Sequence, residues 1–142
     1  MKDYKELREL IKEYNFNADD LREVIESGGD IYSNDDCYRL ICDDDIDTIM
    51  QDELASDEYM LGCFNAWFLA VILGTSTEAI EAMQEKDAYE GIGKMIIAND
   101  LLEKLQREYV SADGYGHHFS SYDGCDTEID IDGTTYHLFR LN

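Results

Sequence analysis

Carboxylates are the residues in this chain with the most chemistry to offer, and they crowd. Between positions 35 and 57 stand Asp35, Asp36, Asp43, Asp44, Asp45, Asp47, Asp52, Glu53 and Asp57, against Arg39 alone. Carboxylates four apart on a helix are about 6 Å apart along its axis, a spacing not far from that of phosphates along one nucleic-acid strand. A surface of that kind would occupy lysines and arginines that otherwise hold phosphates, and a wide complementary field would steer the encounter.

A second constellation lies near the C-terminus. Asp123-Gly124 and Asp132-Gly133 are two-residue hairpin signals. They separate the runs His117 to Tyr122, Cys125 to Ile131 and Thr134 to Leu141, which predicts a three-stranded antiparallel meander. Counting back from the turns sets His117 opposite Asp130, Phe119 opposite Glu128, and Glu128 opposite His137. His117, His137, Asp126, Glu128 and Asp130 then share one face. Tyr122, Ile129, Ile131, Tyr136 and Leu138 share the other and pack on helices. Two imidazoles beside a carboxylate column offer a divalent metal a set of ligands in His117, His137, Glu128 and Asp130. The plainer alternative is a set of His–carboxylate contacts that relieve crowding of like charges.

Other motifs fail on their spacing. Asp43, Asp45 and Asp47 fit positions 1, 3 and 5 of a calcium loop, but Thr48 replaces the glycine and Leu54 the bidentate glutamate. Glu128, Asp130, Asp132 and Gly133 begin well, but Phe139 falls at position 12. Gly91-Ile92-Gly93 and Gly114-Tyr115-Gly116 do not extend to a dinucleotide fingerprint, and no phosphate loop, nucleophile elbow or zinc-protease motif occurs. Nothing selects one carboxylate pair for acid–base work. The expectation is a binding protein without cofactor, not an enzyme.

The elements that must position these residues are mostly helical. Leu7, Leu10, Ile11 and Tyr14 mark one face of a helix over 2–14. Asn17 reads as the cap of a second, Ala18 to Ser27, stopped by Gly28-Gly29, with Phe16 and Leu21 placed as a hydrophobic staple. Ile31-Tyr32 and Tyr38 to Ile41 fit short strands or turns. A helix follows from about Asp44 to Leu54. Ser56 is placed to cap one long helix from Asp57 to Leu73, whose Phe64, Trp67, Phe68, Val71 and Ile72 make it the expected centre of the core. Thr75-Ser76-Thr77-Glu78 opens a helix to about Lys86, and two more run near 88–98 and 100–110. Helices first and strands last predict an α+β fold, with N-terminal and central helices packed on the C-terminal meander. No proline, linker or repeat interrupts the chain, so residues 1–142 read as one domain.

Bulk charge sets the partner class. With 33 acids and 11 bases the net charge is −22. Direct nucleic-acid binding needs clustered bases, and here the bases are scattered. Anionic membrane surfaces are disfavoured likewise. Spread over the diameter of roughly 37 Å expected for this length, the charge comes to about one per 1.7 Å, the axial density of duplex DNA. Halophilic solvation would produce a similar composition, and an interaction module whose acidity serves only solubility is a further alternative. The start lacks an apolar signal region, and the apolar run from Met60 to Leu73 is too short to span a bilayer. Cys37, Cys42, Cys63 and Cys125 form no CxxC pair and read as reduced, mostly buried thiols of a cytoplasmic protein. Tyr32, Tyr38 and Tyr115, set among acids, suit a protein interface. A homodimer is left open.

Small size, large acidic excess and interleaved aromatics together resemble the DNA-mimic inhibitors of phages and mobile elements, the anti-restriction and anti-CRISPR proteins. The segments Leu61-Gly62-Cys63-Phe64-Asn65-Ala66-Trp67 and Asp113-Gly114-Tyr115-Gly116-His117-His118-Phe119 are similar to runs in small phage-encoded proteins of unassigned role. The first resemblance is compositional and covers the chain diffusely. It implies a partner, the basic surface of a host nucleic-acid-binding protein, and implies nothing about architecture.

Overall fold

The computed structural model describes residues 5–142. In chain order the elements are α1 (Lys5–Tyr14), α2 (Ala18–Ser27), β1 (Gly29–Ser33), β2 (Asp36–Cys42), α3 (Ile46–Ala55), α4 (Glu58–Leu61), α5 (Ala66–Leu73), α6 (Thr77–Glu85), α7 (Tyr89–Ala98), α8 (Leu102–Asp113), α9 (Gly116–Phe119), β3 (Thr127–Ile131) and β4 (Thr134–Arg140). The fold is α+β. The chain forms two compact units, one built from residues up to Asp47 and from Asp113 onward, the other from Thr48 to Ala112. Residues 2–4 of the first expected helix lie outside the described residues.

The first unit is a four-stranded antiparallel sheet in the order β1-β2-β4-β3, with α1 and α2 on one face. Local signals set much of it. The Asn17 side chain accepts from the amides of Asp19 (2.9 Å) and Asp20 (3.1 Å), with two acids in the first turn of α2. Those amides have no partner within the helix, so Asn17→Ala is expected to cost about 1 kcal/mol, read as a lower urea midpoint at unchanged slope. Gly28, at φ 74°, ends the helix in a region that costs other residues. Leu7, Leu10, Phe16, Leu21, Val24, Ile31, Leu40, Ile131 and Leu138 form one buried cluster between helices and sheet. At the β3–β4 turn Asp132 (φ 52°) and Gly133 (φ 83°) are both left-handed, the geometry whose twist matches a two-residue hairpin.

Three strands were expected and four are present, because the sheet is assembled differently. The β1–β2 hairpin supplies two strands, and β4 pairs with β2 from Tyr38↔Arg140 to Cys42↔Tyr136. The expected strand His117 to Tyr122 is instead the short helix α9 followed by a turn. Two local features account for this. A Cβ on Gly116 would stand 2.0 Å from the carbonyl oxygen of Gly124, so the two backbones are in contact there. Asp123 accepts from the Cys125 amide (3.0 Å) and the Ser120 hydroxyl (2.9 Å). It thereby closes a side-chain turn rather than a ladder. Tyr122, expected on the core side, is exposed and lies under the Arg140 guanidinium at 3.8 Å.

The second unit is helical. The single helix expected from Asp57 to Leu73 is two. Asp57, not Ser56, caps α4, and Asn65 caps α5 by accepting from the Trp67 amide at 2.8 Å. The break is held open by Gln84, whose Nε2 donates to the carbonyls of Gly62 and Phe64, both at 3.0 Å. α4 and α7 cross at backbone contact. A Cβ on Gly62 would lie 1.9 Å from the Tyr89 oxygen, and one on Gly93 1.9 Å from the Glu58 oxygen. The core here is Leu54, Leu61, Leu69, Ile72, Ile80, Ile92, Ile96 and Leu105. Trp67 (65 % exposed) and Val71 (52 %) face outward, against expectation. The break turns Leu69, Ala70 and Ile72 inward instead. The thiols also depart from the expected pattern: all four are free, but Cys63 and Cys125 are exposed.

Candidate functional site

Strand parity places the chemistry. β3 and β4 pair Glu128 with His137 and Asp130 with Thr135, as the turn count predicted. β2 pairs Ile41 with His137, and the amide of Asp43 continues the ladder to the Thr135 carbonyl at 2.9 Å. Ile41 and Asp43, His137 and Thr135, and Glu128 and Asp130 therefore project from the same face of neighbouring strands. This is the face opposite the α1–α2 core. It is not open to solvent at its centre: Phe119 of α9 packs on Phe139 (5.1 Å between centroids), and the Tyr115 ring stands edge-on to His137 at 5.4 Å.

His137 is 1 % exposed, and both ring nitrogens meet carboxylates. Nδ1 lies 2.8 and 2.9 Å from the two oxygens of Asp126, and Nε2 lies 2.7 Å from Oδ1 of Asp43. Only the imidazolium form donates at both nitrogens. Burial alone lowers a histidine pKa. The hydrogen bonds and charges of Asp43 and Asp126 outweigh it, and the pKa is raised above its ordinary value. A second bond ties the neighbouring segment down: the Tyr115 hydroxyl donates to Asp47 Oδ1 at 2.6 Å. Burial first, then that bond and the charges of Asp43 and Asp126, raise the Tyr115 pKa far above the usual phenol value. Tyr136 is raised as well, by burial and then by nearby Cys42, Asp44 and Asp45.

The nine acids expected to act as one patch stand on several elements. Asp35 sits in the β1–β2 turn, and Asp36 pairs with Arg140 at 3.0 Å. The length of β2, roughly 20 Å for seven residues, separates these two from Asp43. Asp43, Asp44, Asp45 and Asp47 surround the His137 end of the sheet. Asp52, Glu53 and Asp57 belong to the helical unit, where Asp57 Oδ1 caps α4 by accepting from Met60. Within the sheet unit, the fold adds Asp126, Glu128 and Asp130 to Asp43, Asp44, Asp45 and Asp47.

The expected metal set is also rearranged. His117 is on α9, exposed and outside the ladder, so it is not the strand partner of Asp130. Asp130 accepts from the Thr135 hydroxyl at 2.8 Å. What converges is His137 with Asp126 and Glu128, whose ligand atoms all lie within 4.8 Å of one another. Asp126 and Glu128 were legible from the hairpin count. The contribution of Asp43 was not, because it depends on β2 pairing with β4 across some 90 residues. Among the described residues no helix is long and apolar enough to cross a membrane. Comparison with protein families, with curated proteins and with solved structures finds no match.

Proposed function

We propose that the chain is a non-catalytic acidic binding protein that presents nucleic-acid-like charge to the basic surface of a host nucleic-acid-binding protein, in the manner of anti-restriction or anti-CRISPR inhibitors. One observation carries the reading. Asp43 and Asp126 hold one buried imidazole between them, Glu128 lies beside it, Asp130 follows along β3, and Asp44, Asp45 and Asp47 continue the charge from the end of β2 into α3. Several bases are engaged elsewhere. Lys5, Arg22 and Lys94 pair with acids on their own helices, and Arg140 pairs with Asp36. Asp44, Asp45, Glu128 and Asp130 are exposed, so a cationic groove can reach them. The fixed positions of Asp43 and Asp126 lower the ordering cost of binding.

The test is displacement of labelled duplex DNA from a purified restriction or CRISPR nuclease. The wild-type chain is expected to compete, and to lose about tenfold or more in potency as salt rises from 50 to 200 mM. Replacing Asp44, Asp45, Glu128 and Asp130 by Lys together is expected to abolish competition, with circular dichroism unchanged. Replacing Asp35, Asp52 and Glu53 by Lys is expected to have the smaller effect. Displacement that survives the first set would eliminate this rim as the contact.

A further inference from the structure

We propose that Asp126, Glu128 and the Nδ1 atom of His137 form a binding site for one divalent transition-metal ion, with zinc the best match to the donors. The imidazole is already oriented for the task. Asp43 accepts from Nε2 at 2.7 Å, which fixes the ring and leaves Nδ1 as the atom offered to an ion. A carboxylate on the far nitrogen of a liganding histidine is the usual way a protein sets its tautomer and raises its basicity. Nδ1 faces both oxygens of Asp126 at nearly equal distance, 2.8 and 2.9 Å. Adjacent donors of an ion that holds nitrogen and oxygen at about 2.0–2.2 Å stand roughly 3 Å apart, so this pair is already at ligand spacing.

Glu128 completes the set from the next strand, where register places it directly across from His137. The three donor atoms lie within 4.8 Å of one another. Tetrahedral ligands of such an ion stand about 3.4 Å apart, so the widest pair must close by up to roughly an ångström or somewhat more, which the exposed Glu128 side chain has the freedom to supply. The surroundings favour a cation: Asp43, Asp44, Asp45 and Asp47 lie at the same end of the sheet. The imidazole decides the class of ion. It suits zinc and its neighbours in the transition series, whereas calcium and magnesium prefer all-oxygen sets. As the ion enters, the Nδ1 proton leaves to buffer and Nε2 keeps its own. The site shares Asp126 and Glu128 with the proposed partner rim, but its test uses the metal alone, so the two readings fail separately.

Chelator-stripped full chain titrated with zinc chloride by calorimetry is expected to bind one ion per chain, with calcium chloride giving no comparable single-site isotherm. In long-range proton–nitrogen spectra, Nδ1 of His137 is expected to shift on adding zinc while Nε2 stays protonated. Glu128→Gln alters an exposed side chain and leaves the fold intact; it is expected to weaken zinc at least tenfold. Glu26→Gln, an exposed acid on α2, is expected to leave it unchanged. Several weak equivalents indifferent to Glu128→Gln would overturn the assignment, and so would an Nδ1 resonance that does not move.

Discussion

Gly93→Ala is expected to unfold the helical unit or lower its stability by about 3 kcal/mol or more, although the same change in the middle of a helix ordinarily helps. Alanine is favoured over glycine there by up to about 1 kcal/mol, because glycine loses more backbone freedom on folding. At Gly93 that gain is overwhelmed. The new methyl would lie 1.9 Å from the Glu58 carbonyl oxygen and 2.7 Å from its carbon. Both neighbours are backbone, so no side-chain rotation relieves the clash, and α4 must move away from α7. Gly62 makes the reciprocal contact with Tyr89, so the two helices meet at two points and tilting relieves neither. Gly91 provides the control within α7. A Cβ there meets nothing within 4 Å, and Gly91→Ala is expected to stabilise by up to about 1 kcal/mol. Urea denaturation followed by circular dichroism at 222 nm reads both. If the two variants melt together, α4 and α7 are not in backbone contact.

That contact also shows why part of the fold was legible in the sequence and part was not. α2 runs between the residues expected for it, because Asn17 and Gly28 act on amides and dihedrals within a few residues of themselves. The β3–β4 register followed from Asp132-Gly133 for the same reason. The break at Gly62–Asn65 was misread because the run from Met60 to Leu73 has the hydrophobicity of one helix. What divides it comes from later in the chain: Gln84 of α6 holds the break open, and α7 packs on α4 at backbone contact. The alternation of His117, Phe119 and Ser121 imitates a strand, and only the approach of Gly116 to Gly124 rules it out. The acidic site was legible only in part. The length of β2 separates Asp35 and Asp36 from Asp43, while Asp126 and Glu128 arrive from the other end of the chain. Parity assigned His137 to the correct face. It gave no sign that α9 and Tyr115 would cover that face and turn a surface histidine into a buried one.

Burial gives His137 its energetic weight, and His137→Ala, measured with chelator present, is expected to cost about 2–4 kcal/mol. Part of this is the cavity left among Tyr115, Phe139 and Ile41. The rest is electrostatic. Without the imidazolium, Asp43 and Asp126 face each other across an empty space with nothing to offset their repulsion. Breaking a fully buried ion pair costs about 3–5 kcal/mol, but here the Asp43 side chain is 56 % exposed and that of Asp126 22 %. Water therefore recovers some of the loss at Asp43 and less at Asp126. The ordering of single variants follows: Asp126→Asn should destabilise more than Asp43→Asn, and both less than His137→Ala. A double-mutant cycle separates the two contributions. With both aspartates already changed to Asn, no like charges remain to be exposed, and His137→Ala should cost only its cavity share. Strict additivity across that cycle would mean that the imidazole fills space without binding the carboxylates together. The acidic rim would then have no internal clasp, and its pre-formed shape, on which the proposed partner binding depends, would have to come from some other part of the fold.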